Sequence, residues 1–248
     1  MNIGVIGIGF MGVVHLKALE DIPDATVIAV ADEDPARLTG DLSNIQGNLG
    51  RPGEMMDFSA YKKYSSADAL LADPEVEAVD ILLPTHLHGP ITIQALRAGK
   101  HVLVEKPMAL NGEIADEMLA EAEKAGRILM VAQVLRFMPQ YEALAEVVKS
   151  GRIGPVHSAI FRRRTATPTW AAWEFDSSKN GGGVFDLLVH DVDFCLQLFG
   201  VPEAISSTGT DAMSIGVDMV VGELHYPKIG NVTITGGWHH IGDYPFSM

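Results

Sequence analysis

A rhythm of short, nearly continuous apolar runs set between helical patterns constrains this chain more than any other feature. The runs are NIGVIG at 2–7, TVIAVA at 26–31, AVDILL at 78–83, HVLV at 101–104 and ILMV at 128–131, and helical periodicity falls near 11–21, 65–72, 88–98 and 112–125. Strands that are apolar on both sides need cover on both faces, so the pattern predicts a parallel sheet doubly wound by helices. After about residue 133 the rhythm changes. A helix near 139–149 precedes the strand-like HSAIFRRRT, a long apolar helix, and then AISSTGTDAM, GVDMVVGELHY and GNVTITGGWHH. Their alternation and turn residues predict a mostly antiparallel sheet. The expectation is an α/β chain of two domains, 1–132 and 133–248, the second of α+β type. Residues 40–60, rich in Gly and polar groups, read as an excursion between helix and strand that is either functional or mobile.

The first run ends in GIGFMG, a GxGxxG pattern formed by Gly7, Gly9 and Gly12. Glycines allow a tight turn and let backbone amides approach a pyrophosphate, whose charge a helix N-terminus favours. Phe10 and Met11 complete the motif and count with its cofactor-contacting residues. Asp32 ends the second run 20 residues beyond Gly12, where a carboxylate bonds ribose hydroxyls. The same charge repels a 2′-phosphate, so the reading is NAD in preference to NADP.

Ligands of open α/β sheets lie at the carboxyl ends of the strands. Pro84, Thr85, His86 and His88, in ILLPTHLHGP, follow one strand there; Glu105, Lys106 and Pro107, in HVLVEKPMAL, follow the next. The two histidines lack the Cys or carboxylate neighbours that would complete a metal set, so cofactor-lining or structural roles are expected and no metal. A lysine in that crevice is able to donate to a substrate oxygen. Arg136, in VLRFMPQY at the domain junction, reads either as a substrate or cofactor contact or as half of a structural ion pair.

The helix GGGVFDLLVHDVDFCLQLFG, 181–200, is apolar over most of its circumference but carries Asp186, His190, Asp193 and Gln197 within one narrow sector. Such a stripe is a structural polar network or one wall of a pocket. Asp191 alone breaks the pattern, and the helix is expected to be buried on several sides.

A net charge of −14 disfavours a nucleic-acid partner. The basic cluster Arg162, Arg163 and Arg164 reads as a solvated edge or an interface. Cys195 is the only cysteine, which precludes an intrachain disulfide, favours a reducing compartment and suggests core filler. With no secretion signal and no run long enough for a bilayer, a soluble cytoplasmic protein is expected.

In combination, GIGFMG, HLHGPITIQALRAGKHVLVEKPMAL, GRIGPVHSAIFRRR and GGGVFDLLVHDVD resemble the glucose-fructose oxidoreductase and inositol dehydrogenase (Gfo/Idh/MocA) family. The resemblance implies a Rossmann domain followed by an open-faced sheet domain, NAD(P) as cofactor, and oxidation or reduction of sugars, cyclitols or similar polyols. It makes Lys106 the catalytic lysine and Asp186 and His190 the family's Asp/His pair. On that reading His190 takes the hydroxyl proton, Asp186 orients it and Lys106 holds the oxyanion, although in some relatives the lysine moves the proton. Lys106, Arg136, Asp186 and His190 are then the substrate contacts. The resemblance also admits a redox-type glycosidase that uses NAD transiently and a non-catalytic dinucleotide-dependent sensor. Two departures stand out: Leu188 where many relatives have Gly, and a sequence stopping at GDYPFSM where relatives continue. The second sheet is therefore expected to be incomplete, and its open face to pair in a homo-oligomer, with a truncated fragment as the competing explanation.

Overall fold

Residues such as Val5, Ile6, Val30, Val79, Ile81, Val102 and Val104 are buried, and their near-continuous apolar runs become strands because helices cover both faces of the sheet they form. A computed structural model describes residues 1–47, 55–166, 176–211 and 216–240. It divides into two compact units, Met1–Ala132 and Gln133–Met248.

The first unit runs β1 (Asn2–Ile6), α1 (Phe10–Glu20), β2 (Thr26–Ala31), β3 (Lys62–Tyr64), α2 (Ala67–Leu71), β4 (Ala78–Ile81), α3 (His88–Arg97), β5 (His101–Val104), α4 (Gly112–Ala125) and β6 (Leu129–Val131). Its strands form one parallel sheet in the order β3-β2-β1-β4-β5-β6, which reverses direction at β1 and β4. Two cores result. One gathers Ile6, Leu70, Ile81, Leu96, Val104 and Met118; the other joins Val5, Ile8, Leu16 and Val30 to Leu42 and Phe58. The last two belong to the 40–60 excursion, which is thus anchored rather than loose at both ends; its residues 48–54 lie outside those described. Local chemistry fixes the helix ends: Asn111 Oδ1 caps α4 by accepting the Ile114 N–H at 2.9 Å, and Gly126 ends it with φ 61°.

Sequence periodicity misses β3. It is three residues long, begins with Lys62 and Lys63, and occupies the sheet edge, where charge discourages further pairing.

The second unit runs α5 (Pro139–Lys149), β7 (Ser158–Ala166), α6 (Ser177–Asn180), α7 (Gly183–Phe199), β8 (Ala204–Thr210), β9 (Met219–Tyr226) and β10 (Ile229–His240). Its sheet has the order β7-β10-β9-β8, antiparallel except for β10 with β7. Leu188 and Cys195 of α7 pack on Leu224, Val232 and Ile234 of the sheet. Leu188 is thereby a core residue. Burial pushes the Cys195 thiol up to about 12, as suits core filler. Alternation sends Ile160 and Val221 to the opposite face, where both are exposed. GDYPFSM lies outside the described residues.

As expected, α7 is buried on more than one side, against the sheet through Leu188 and Cys195 and against α5 through Phe194, while Phe185, Val192 and Leu196 leave one apolar flank exposed. One expectation changes here. Arg163 is not a solvated edge residue: alternation turns it toward α7, where Nε and Nη2 donate to Asp191 at 2.7 and 3.0 Å with both side chains buried. Asp191 breaks the polar stripe because it answers this guanidinium.

Candidate active site

In the first unit, two of the three glycines of GIGFMG have a steric reason within the fold. Gly7 has φ 96°, and a Cβ there would lie 2.5 Å from the Leu82 carbonyl oxygen. At Gly12 a Cβ would lie 2.3 Å from the Gly7 carbonyl oxygen, so only glycine lets α1 start so close to the turn. Gly9 is different: a Cβ there would meet nothing within 4 Å. The helix it opens has no side-chain cap and no acid in its first turn. Open space at a helix N-terminus that no side chain caps fits a dinucleotide's pyrophosphate.

Asp32, just past β2, is tied to the same turn. Its Oδ2 accepts the Ile8 N–H at 2.7 Å and its Oδ1 the Asp34 N–H at 2.9 Å. A carboxylate has about four lone-pair directions, so capacity is left for a ribose hydroxyl. Arg37 Nη1 donates to Oδ2 at 3.3 Å, a neighbour that sequence spacing alone gives no reason to single out. Phe10 and Met11 are half-buried beside the turn.

At the carboxyl end of β4, Thr85 is buried and Pro84 and His86 are half-buried in the short turn Thr85–Leu87. His88 is fully buried; its Nδ1 faces the Pro107 carbonyl and its Nε2 the Leu83 carbonyl, each at 2.7 Å. Burial holds its pKa below the ordinary value, opposed by those two acceptors. His88 therefore braces the turn after β4 against the Lys106–Pro107 turn, the structural one of the two roles expected for it.

Glu105 and Lys106 follow β5. The Glu105 N–H donates to Ile81, continuing the sheet, and Glu105 Oε2 accepts the Lys106 N–H at 2.8 Å. The other carboxylate oxygen, Oε1, lies 3.2 Å from Nε2 of His15 on α1, whose Nδ1 lies 2.8 Å from Asp80 Oδ2 on β4. Burial alone would lower the His15 pKa, but these two carboxylates outweigh it and raise it to about 10. Burial instead raises that of Asp80, opposed by the contact with His15. This clamp escapes sequence reasoning, since its members lie on three separate elements.

In the second unit, Asp186, His190, Asp193 and Gln197 are all half-buried along one sector of α7, as the spacing predicts. Asp186 is in the first turn of the helix, where its charge suits the N-terminus. Arg136 donates to Asp193 through Nε and Nη2 at 2.7 and 2.6 Å. Of its two sequence readings the structure displays the ion pair, which also raises the Arg136 pKa.

Among the described residues, no group of three or more His, Cys, Asp or Glu is arranged to hold a metal, and no helix is long and apolar enough to cross a membrane.

Comparison with known proteins bears on both units. A family model described as "Oxidoreductase family, NAD-binding Rossmann fold" matches residues 1–133, and one for the Gfo/Idh/MocA C-terminal domain matches 141–248. Myo-inositol 2-dehydrogenase of Thermotoga maritima is 32% identical over 224 residues, covering 90% of this chain and 61% of that protein. Trans-1,2-dihydrobenzene-1,2-diol dehydrogenase of Mus musculus is 34% identical over 233 residues, covering 90% and 64%. The crystal structure of GenD2 from gentamicin A biosynthesis in complex with NAD superposes with a TM-score of 0.84 at 26% identity, covering 98% of this chain and 67% of that one. The chain thus spans somewhat less than two thirds of the length of these curated relatives.

Proposed function

The chain belongs to the Gfo/Idh/MocA oxidoreductase family, and from that premise we propose that it moves a hydride between NAD and a hydroxyl-bearing carbon of a sugar, cyclitol or similar polyol. One observation carries the reading: within one unit, an open and uncapped glycine turn tied to Asp32 accompanies a lysine at the carboxyl end of β5. The names of relatives, myo-inositol 2-dehydrogenase among them, support the substrate class.

NAD held at the Gly7–Gly12 turn and Asp32 would supply the acceptor for a hydride, with its electron pair, from the carbinol carbon in the direction of oxidation. Lys106 holds the alcohol oxygen and the negative charge that grows on it as the carbonyl forms. His190 receives the hydroxyl proton, and Asp186, one helical turn earlier, steadies the resulting imidazolium. Asp32 selects NAD by bonding the ribose diol and repelling a 2′-phosphate. Arg136 supports this wall through Asp193. The exposed sheet face bearing Ile160 and Val221 pairs two copies.

The test follows reduced cofactor by its absorbance with a panel of cyclitols and aldoses. Turnover is expected with at least one of them, and Lys106→Ala and His190→Ala should each lower kcat by about 100-fold or more. Undiminished turnover in both variants removes these residues from the reaction. NAD binding without turnover of any substrate favours a sensor, and sugar release without net cofactor reduction favours the glycosidase.

A further inference from the structure

We propose that His15 is a positioning residue for Lys106, acting through Glu105. Three contacts in the first unit form an unbroken chain: Asp80 Oδ2 to His15 Nδ1 at 2.8 Å, His15 Nε2 to Glu105 Oε1 at 3.2 Å, and the Lys106 N–H to Glu105 Oε2 at 2.8 Å. Glu105 thus has one oxygen on the lysine's backbone and the other on the imidazole. A carboxylate held at one oxygen only is free to turn about its last side-chain bond; held at both, it is fixed, and so is the amide it grips.

The groups facing His15 across the packed elements are Asp80 from β4 and Glu105 from the end of β5. Both are acceptors when ionised, so the ring serves both only with a proton on each nitrogen. Its raised pKa keeps it in that form through neutral pH. The two contacts have different consequences. Asp80 is buried, and its second oxygen, Oδ1, has no partner; the contact with Nδ1 therefore compensates a buried carboxylate and serves stability. The contact with Nε2 reaches Glu105 and serves the position of Lys106.

Two substitutions separate these roles, because the amide nitrogen of Asn sits near the place of Nδ1 and that of Gln near the place of Nε2. His15→Asn keeps a donor for Asp80 and leaves Glu105 without one. His15→Gln does the opposite. The inference rests on the reading of Lys106 as a catalytic residue, so its first measurement is independent of turnover: hydrogen exchange of the Lys106 backbone amide by NMR on the full chain. Exchange should accelerate by about tenfold or more in His15→Asn and stay within about threefold of wild type in His15→Gln. Thermal stability should show the reverse order, Asn above Gln. Should His15→Asn not fold, Glu105→Gln is expected to accelerate Lys106 exchange in the same way.

In turnover assays, kcat should fall about 10–100-fold in His15→Asn, and Gln should restore most of it. Added to Lys106→Ala, the Asn substitution should cost nothing further, since it acts only through that lysine. Equal exchange at Lys106 in the two variants, or exchange unchanged in both, overturns the inference. Unimpaired turnover in Lys106→Ala instead defeats the assignment of the lysine, and the exchange measurement still decides whether His15 fixes its place.

Discussion

At the scale of single residues, the glycine turn separates space needed by the fold from space left for a ligand. Gly9→Ala places its methyl where nothing lies within 4 Å, at an ordinary φ of −83°. Its unfolding free energy should stay within about 0.5 kcal/mol of wild type, while NAD affinity by calorimetry falls about tenfold or more because the methyl meets the pyrophosphate. Gly12→Ala, whose methyl would lie 2.3 Å from a backbone oxygen, should lose both stability and affinity. Equal NAD binding by Gly9→Ala and wild type would mean that the open space is not the phosphate site. Asp32→Asn removes a charged acceptor from the ribose, and an expected loss of about 10–100-fold in NAD affinity should come with a smaller preference over NADP. Arg37, 3.3 Å from Asp32, partly offsets that carboxylate's charge, so Arg37→Ala should sharpen the discrimination against NADP in the same titration.

At the scale of elements, much of the sheet was legible because parallel strands are written as apolar runs, and the dinucleotide turn because its glycines sit between a strand and a helix. Two of the missing parts, the Arg163–Asp191 pair and the His15 clamp, share one cause: pairing between positions remote in sequence. Arg163 looked like one of three surface arginines until β7 placed it against Asp191, 28 residues away. Nothing in the sequence around His15 marks it, because the carboxylates beside its two ring nitrogens come from β4 and from the end of β5. β3 was hidden by its lysines. The stripe on α7 was legible as geometry, whereas the engagement of Asp193 by Arg136 was one of two readings that spacing left open.

These pairs lead to measurable consequences. Arg163→Met strands the buried Asp191 carboxylate and should cost about 3–5 kcal/mol in denaturant unfolding. Adding Asp191→Leu should recover most of that, and a double variant no better than the single would show that the pair is not what Arg163 supplies. For His15 the folded pKa of about 10 exceeds the ordinary 6.5, so the folded state binds the proton more tightly. Its stabilising effect is complete below about 6.5, shrinks above it and is lost as pH rises through about 10. The stability advantage of wild type over His15→Gln should narrow across that window, as followed by thermal unfolding in a pH series.

For the molecule as a whole, the second unit is proposed to take part in both chemistry and assembly. Its sheet presents Ile160 and Val221 on the face turned from α7, and apolar residues so exposed suit a second copy of the same face. Ile160→Glu with Val221→Glu should shift the chain toward monomer in analytical ultracentrifugation; an unchanged sedimentation distribution would place the contact elsewhere. The proposed action of Lys106 and His190 on a single carbinol carbon is tested most directly by supplying cyclitols and aldoses deuterated at their carbinol carbons, with NAD, and reading the cofactor's nicotinamide by mass spectrometry. The account predicts deuterium in the reduced ring with wild type and at least about 100-fold slower labelling in Lys106→Ala and in His190→Ala. Labelling at the wild-type rate in both variants, or a bound cofactor that never acquires deuterium from any of these substrates, would contradict it.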